Sequence, residues 1–160
     1  SVKERMITAR RGETYDMGEL KVQALGSNDA GVSFLVHYGG KTIFHAGDLN
    51  DWSWYVRKGE MHDEAYRRRM REEFRKELEP LLGVHMDAAF VVMDMRLEER
   101  YKNGIDYFLH TMDADAVFPM HLWGRYDLIP QYKKKLILAG EPELAKKVMD
   151  IREENQIFEL

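Results

Sequence analysis

Two glycines in succession, Gly39-Gly40, separate two apolar-alternating runs, and this arrangement restricts the chain more than any other feature. Upstream, Val32, Phe34, Val36 and Tyr38 share one face of an extended segment. Downstream, Thr42, Phe44 and Ala46 do the same. A two-residue type I′ connection needs positive φ at both central positions, which glycine supplies without a steric cost. The pattern therefore predicts a β-hairpin whose second strand runs on to Gly47-Asp48.

Before the hairpin, Glu13 to Leu25 predicts two short strands around Met17-Gly18, with Leu20, Val22 and Ala24 alternating against Lys21 and Gln23. Gly26-Ser27-Asn28-Asp29-Ala30-Gly31 is a dense loop signal. After the hairpin, residues 51–59 form a loop containing Trp52 and Trp54. Glu60 to Leu82 then carries Met61, Ala65, Tyr66, Met70, Phe74 and Leu78 at helical spacing, with Glu72 and Lys76 in the favoured i, i+4 order. Pro80 and Gly83 end that helix.

The continuous apolar run Ala88–Met93 predicts a strand covered on both faces and closed by Asp94. A short helix from Gly104 to about Met112 leads into the strand Ala116–Met120, which delivers His121. Helices near Leu128–Leu138 and Pro142–Asp150, and a last strand at Gln156–Leu160, complete the order. Strands alternating with helices after an antiparallel start imply an α/β fold, a mixed sheet with helices on its face. One domain across residues 1–160 is the expected organisation.

Composition narrows the function classes. The chain is 44% hydrophobic and 32% charged, the balance of a soluble globular protein. No apolar run approaches the roughly 20 residues of a membrane helix, and Ser1–Arg5 leads into no signal-peptide core. Without cysteine, disulfides, thiolate metal sites and cysteine nucleophiles are excluded. A net charge of −4 argues against a nucleic-acid partner, and Arg67-Arg68-Arg69, set among Glu64, Glu72 and Glu73, reads as a solvated helix face. The expected setting is cytoplasmic, with a small-molecule partner and no membrane.

Asp48 and His121 are the leading candidates for chemistry. Each follows an apolar strand, at the rim where open α/β sheets gather functional groups. Either residue alone has an ordinary alternative, a turn cap for Asp48 and a satisfied core histidine for His121. Together, a carboxylate and an imidazole suit zinc or another divalent metal. Asp94 is a third strand-end acid that either orients a ligand from behind or binds Arg96 locally. Asp29 either reaches the same rim or makes an Asx turn. Trp52, Trp54 and Trp123 flank the two ligands as candidate substrate walls. His45 falls on the opposite strand face from Asp48, and His37, His62, His85 and His110 have no sequence neighbours that suggest a site. No Walker loop, dinucleotide fingerprint or G-x-S-x-G elbow is present, so a metal-activated water is the better candidate than a nucleophilic side chain.

The segments Gly31–Val36, Gly40–Asp48 and Phe118–His121 resemble the later motifs of metallo-β-lactamase-fold hydrolases, in a subgroup similar to lactonases and their relatives. The resemblance runs from about Glu13 to Trp123. It implies the later part of an αββα fold, with Asp48 matching the aspartate that bridges two metal ions and His121 matching the last metal histidine. It also implies an ester, lactone or phosphoester substrate. The family's His-x-His-x-Asp-His cluster and its middle histidine have no counterpart here, and Ser27-Asn28-Asp29 occupies the latter's place. The active centre is thus expected to be incomplete in this chain, with the rest coming from a missing amino-terminal segment or from another copy in a homo-oligomer. The alternative is a non-catalytic binding or assembly module that has lost the metal centre.

Overall fold

The computed structural model describes residues 6–54 and 64–159. Six strands form one sheet in strict chain order: β1 (Thr14–Met17), β2 (Leu20–Leu25), β3 (Ser33–Tyr38), β4 (Lys41–His45), β5 (His85–Val92) and β6 (Asp113–Met120). β1 through β4 are an antiparallel meander, whereas β4, β5 and β6 run parallel. The sheet is therefore mixed, as the sequence pattern implies. Gly39 and Gly40 have φ of 57° and 76°, and Tyr38 pairs with Lys41 across them, the geometry of a type I′ hairpin.

Parallel pairs need crossovers, and helices supply them. α1 (Glu64–Leu78) joins β4 to β5, and α2 (Asn103–Thr111) joins β5 to β6. α3 (Leu128–Leu138) and α4 (Pro142–Lys147) follow. Met70, Phe74 and Leu78 of α1, Phe108 of α2 and Tyr132 of α3 share one buried cluster with Leu35, Phe44, Ala89 and Val117 of the sheet. The helices thus lie on one sheet face. Phe44 stacks on Phe108 at 5.7 Å, which ties the hairpin to α2. The other face has a smaller cluster, in which Phe118 packs on Phe90 at 4.9 Å and edge-on to Phe158 at 5.1 Å.

Three details depart from the sequence pattern. The strand expected at Gln156–Leu160 does not form over 156–159. The outer edge of β6 is already bridged by Val148, whose neighbour Met149 donates to Val117 O at 2.8 Å, and Phe158 crosses the sheet face instead. In β3 the deeper face carries Ser33 and Leu35, while Phe34 and Val36 are only half-buried, because the helices cover the former side. On α1, Glu72 turns back to Arg68 at 3.9 Å, and Lys76 is not its partner. Arg67 and Arg69 pair with Glu64 and Glu73, in keeping with a solvated face. The start expected for this helix, residues 60–63, lies outside the described residues, as does His62.

α2 ends in a charged clasp. His110 donates from both ring nitrogens, to Asp106 O at 2.7 Å and to Glu141 at 2.8 Å, a pattern only the imidazolium satisfies. Its pKa is raised, first by the Glu141 bond and then by the Asp106 carbonyl. A raised folded value means the clasp stabilises fully below the ordinary histidine range and is lost as pH rises through the folded pKa. Being near the surface, it is worth under about 1 kcal/mol. An NMR titration should find the His110 pKa lowered in Glu141→Gln; an unchanged value would break the assignment.

Candidate functional site

Because β4, β5 and β6 run parallel and adjacent, their carboxyl ends open at one rim, and the residues just beyond them meet. Ladder bonds continue past the strands, from Ala46 N to Phe90 O and from Met93 N to Met120 O, both 2.9 Å, which holds the three ends in register. Gly47 then turns the chain with φ of 58°. A Cβ there would stand 2.7 Å from Val32 O, so the close approach that aims Asp48 requires glycine. Beyond Asp48 the loop docks on α2, where Gly104 leaves room for the Asn50 side chain; a Cβ at Gly104 would lie 2.0 Å from Asn50 Oδ1.

Asp48 Oδ1 lies 3.2 Å from His121 Nε2. On the far side of the ring, Nδ1 stands 3.4 Å from Asp94 Oδ2, an ion-pair separation without hydrogen-bond alignment, so this buried nitrogen lacks a hydrogen-bond partner. His121 and Trp123 both have positive φ, 59° and 52°, a conformation that costs side-chain-bearing residues about 1 kcal/mol or more and recurs where local structure serves a site.

Asp94 is fully buried and binds Arg96 locally, one of the two roles its position suggested. It accepts Arg96 in a fork, Nε to Oδ1 at 2.9 Å and Nη2 to Oδ2 at 2.6 Å, while backing His121. Burial pushes its carboxyl up, but the Arg96 side-chain and backbone bonds prevail and hold it below the usual carboxylate range. Trp52 donates its indole N–H to Asp48 O at 2.8 Å and stacks on Trp54 at 5.8 Å. Trp123 meets the His121 ring edge-on.

A cavity of about 570 Å³ opens on these groups, bounded by Asp29, Asp48, Trp52, Arg96, His121 and Trp123, with Leu122. Of the candidate site residues, Asp94 and Trp54 do not line it: Asp94 lies directly behind His121, and Trp54 stacks on Trp52. Asp29 makes no Asx turn; its own N–H donates to Ser27 Oγ at 3.2 Å, which leaves its carboxylate on the cavity wall. His45 stays apart, its Nδ1 accepting from Gly47 N at 3.0 Å. Arg96 is the cavity residue that the sequence reading treated only as a local partner for Asp94. The signal available was its spacing, two residues past a strand-end acid.

The donor set can be tested against a divalent ion. In tetrahedral zinc, ligand atoms about 2.0–2.2 Å from the metal are separated by roughly 3.3–3.5 Å. The 3.2 Å between Asp48 Oδ1 and His121 Nε2 is close to that spacing. A neutral imidazole using Nε2 as ligand carries its proton on Nδ1, where Asp94 would receive it, an arrangement typical of metal-bound histidine. These two donors fit one side of a metal centre.

A second cluster overturns the expectation that His85 has no company. Its ring lies 2.9 Å from Asp113 and 3.4 Å from Asp115, and ligand atoms of His85, Asp87 and Asp115 all fall within 4.8 Å of one another. These residues begin β5 and β6, at the opposite end of the sheet from the cavity. Lys41 and Thr42 N already bind Asp87, both at 2.8 Å. No spacing rule could show this grouping, because the parallel register of β5 and β6 creates it.

No family model matches the sequence, and no curated protein does. Among solved structures, the chain is similar to a mutant of CmlA β-hydroxylase, with 14% identity and a TM-score of 0.42, over 68% of this chain and 24% of that one. It is also similar to a structure described as a Zn-dependent hydrolase of the metallo-β-lactamase superfamily from Thermotoga maritima, with 13% identity and a TM-score of 0.33, over 70% of this chain and 47% of that one. The chain spans about a quarter of the first and about half of the second. Identity and TM-score are both too low to assign it to the family of either. Among the described residues, no helix is long and apolar enough to cross a membrane.

Proposed function

We propose that this polypeptide contributes part of the active centre of a divalent-metal hydrolase acting on an ester, lactone or phosphoester. The observation that carries this reading is the 3.2 Å approach of Asp48 and His121 at the floor of an aromatic-walled cavity. Zinc is the metal that a carboxylate and an imidazole suit best. When bound there, it supplies an activated water near neutral pH and Lewis acidity toward the substrate. Asp94 backs the His121 ring, Arg96 holds Asp94, and Trp52 and Trp123 give the cavity aromatic walls. Two donors among the described residues do not complete a site, and on this proposal the further ligands would come from residues upstream in a longer polypeptide or from a second copy of this chain.

The test uses a longer polypeptide that includes this chain. Elemental analysis should find zinc bound stoichiometrically, and a panel of neutral and anionic esters, lactones and phosphoesters should include substrates whose turnover stops on chelation and returns with zinc. A well-folded product with neither zinc nor turnover would overturn the proposal and leave a non-catalytic binding module.

A further inference from the structure

We propose that Arg96 is the anion anchor of the cavity, so that the substrate carries a carboxylate or phosphate group that docks on its guanidinium. This rests on the hydrolase reading above and narrows its substrate class. Among the described residues, Arg96 and His121 are the basic residues of the cavity wall, and of these Arg96 is the one whose charge does not depend on pH.

The geometry separates the two edges of the guanidinium. Its inner edge is spent on Asp94, through Nε and Nη2. The outer edge, Nη1 with the remaining N–H of Nη2, bonds no oxygen among the described residues. Asp94 is completely buried, while half of the Arg96 side chain is exposed, so the cavity meets the cation of this pair and not the anion. Two parallel N–H donors on a planar edge match a carboxylate or phosphate in a bidentate contact.

The side chain is also held in place before any ligand arrives. Its Cζ lies 4.9 Å from the Trp123 ring and 5.9 Å from the Trp54 ring, both within cation–π range. The rotamer entropy of a long side chain is therefore largely lost on folding and not on binding. The indoles beside it offer flat apolar surface to the remainder of the ligand.

Charge sets a condition on this anchor. Asp29 and Asp48 line the same cavity and Asp94 lies behind it, so among the described residues three carboxylates face one permanent cation. An anion is repelled by that excess until a divalent ion offsets it, and anion affinity should rise when zinc is present.

All three tryptophans of the chain border or flank the cavity, so intrinsic fluorescence reports on it directly. The experiment titrates the longer polypeptide that includes this chain, with and without zinc, using benzoate, phenylphosphonate and neutral benzamide, and measures bound zinc in the same samples. Arg96→Lys keeps a charge beside Asp94 but loses the fork. It should weaken both anions at least tenfold, Arg96→Met should abolish their binding, and benzamide should be unaffected by either substitution. The stronger of the two anions tells carboxylate from phosphate chemistry. Anion binding equal in wild type, Arg96→Lys and Arg96→Met would overturn the anchor, as would binding of neither anion. Zinc retained with Arg96-independent binding leaves the metal reading standing and sinks the anchor. Arg96-dependent binding in a chain that holds no zinc does the reverse.

Discussion

Zinc bound by a longer polypeptide containing this chain should fall to background in His121→Ala and in Asp48→Ala. Either change removes a donor from a pair whose facing atoms are 3.2 Å apart, and among the described residues no other imidazole lines the cavity to replace His121. Asp94→Asn separates ligand from support. It leaves both donors in place but weakens the grip on the ring, so zinc should remain with affinity lowered roughly 10- to 100-fold. His85→Ala is the control for the cluster at the opposite end of the sheet. Zinc that survives both cavity variants and disappears in His85→Ala would belong to that cluster, and the proposed centre would be abandoned. Elemental analysis with competition by a chromogenic chelator reads all four proteins.

Arg96→Met should cost the fold about 3 kcal/mol in urea unfolding. Removing one partner of a buried ion pair typically costs 3–5 kcal/mol because the remaining charge is stranded. The lower end applies here, since Arg96 is half exposed and water can reach the vacated space, although Asp94 has no exposure of its own. A domain of this size is typically stable by about 5–15 kcal/mol, so the variant remains folded at 25 °C. The double variant Asp94→Asn, Arg96→Met should recover most of the loss, because a neutral amide leaves no buried charge to compensate. A single-variant loss under about 0.5 kcal/mol would show that the fork does not hold this rim together.

Much of the architecture is written in local pattern. The Gly39-Gly40 hairpin follows from the positive φ that two central turn residues need, and α3 occupies Leu128–Leu138 as its apolar spacing indicates. The strand ends were legible for a similar reason. A short apolar run that stops at a polar residue marks where buried sheet meets its rim, and this singles out Asp48, Asp94 and His121 from sequence alone. The pattern misled over residues 156–159, where the expected last strand does not form and the β6 edge is already bridged by Val148.

Residue spacing by itself determined that this chain makes a mixed sheet with helices and places an acid or imidazole just beyond three of its strands. Only the tertiary structure decided that those three strands are parallel neighbours. That adjacency brings Asp48 and His121, 73 positions apart in sequence, within 3.2 Å, and seats His121 against Asp94. It likewise assembled His85 with Asp113 and Asp115, and it turned Arg96 from a local salt-bridge partner into part of a cavity wall. The physical reason is that alternation along a strand records which side of a sheet is buried, whereas strand order and register are settled by helices packing across the whole face.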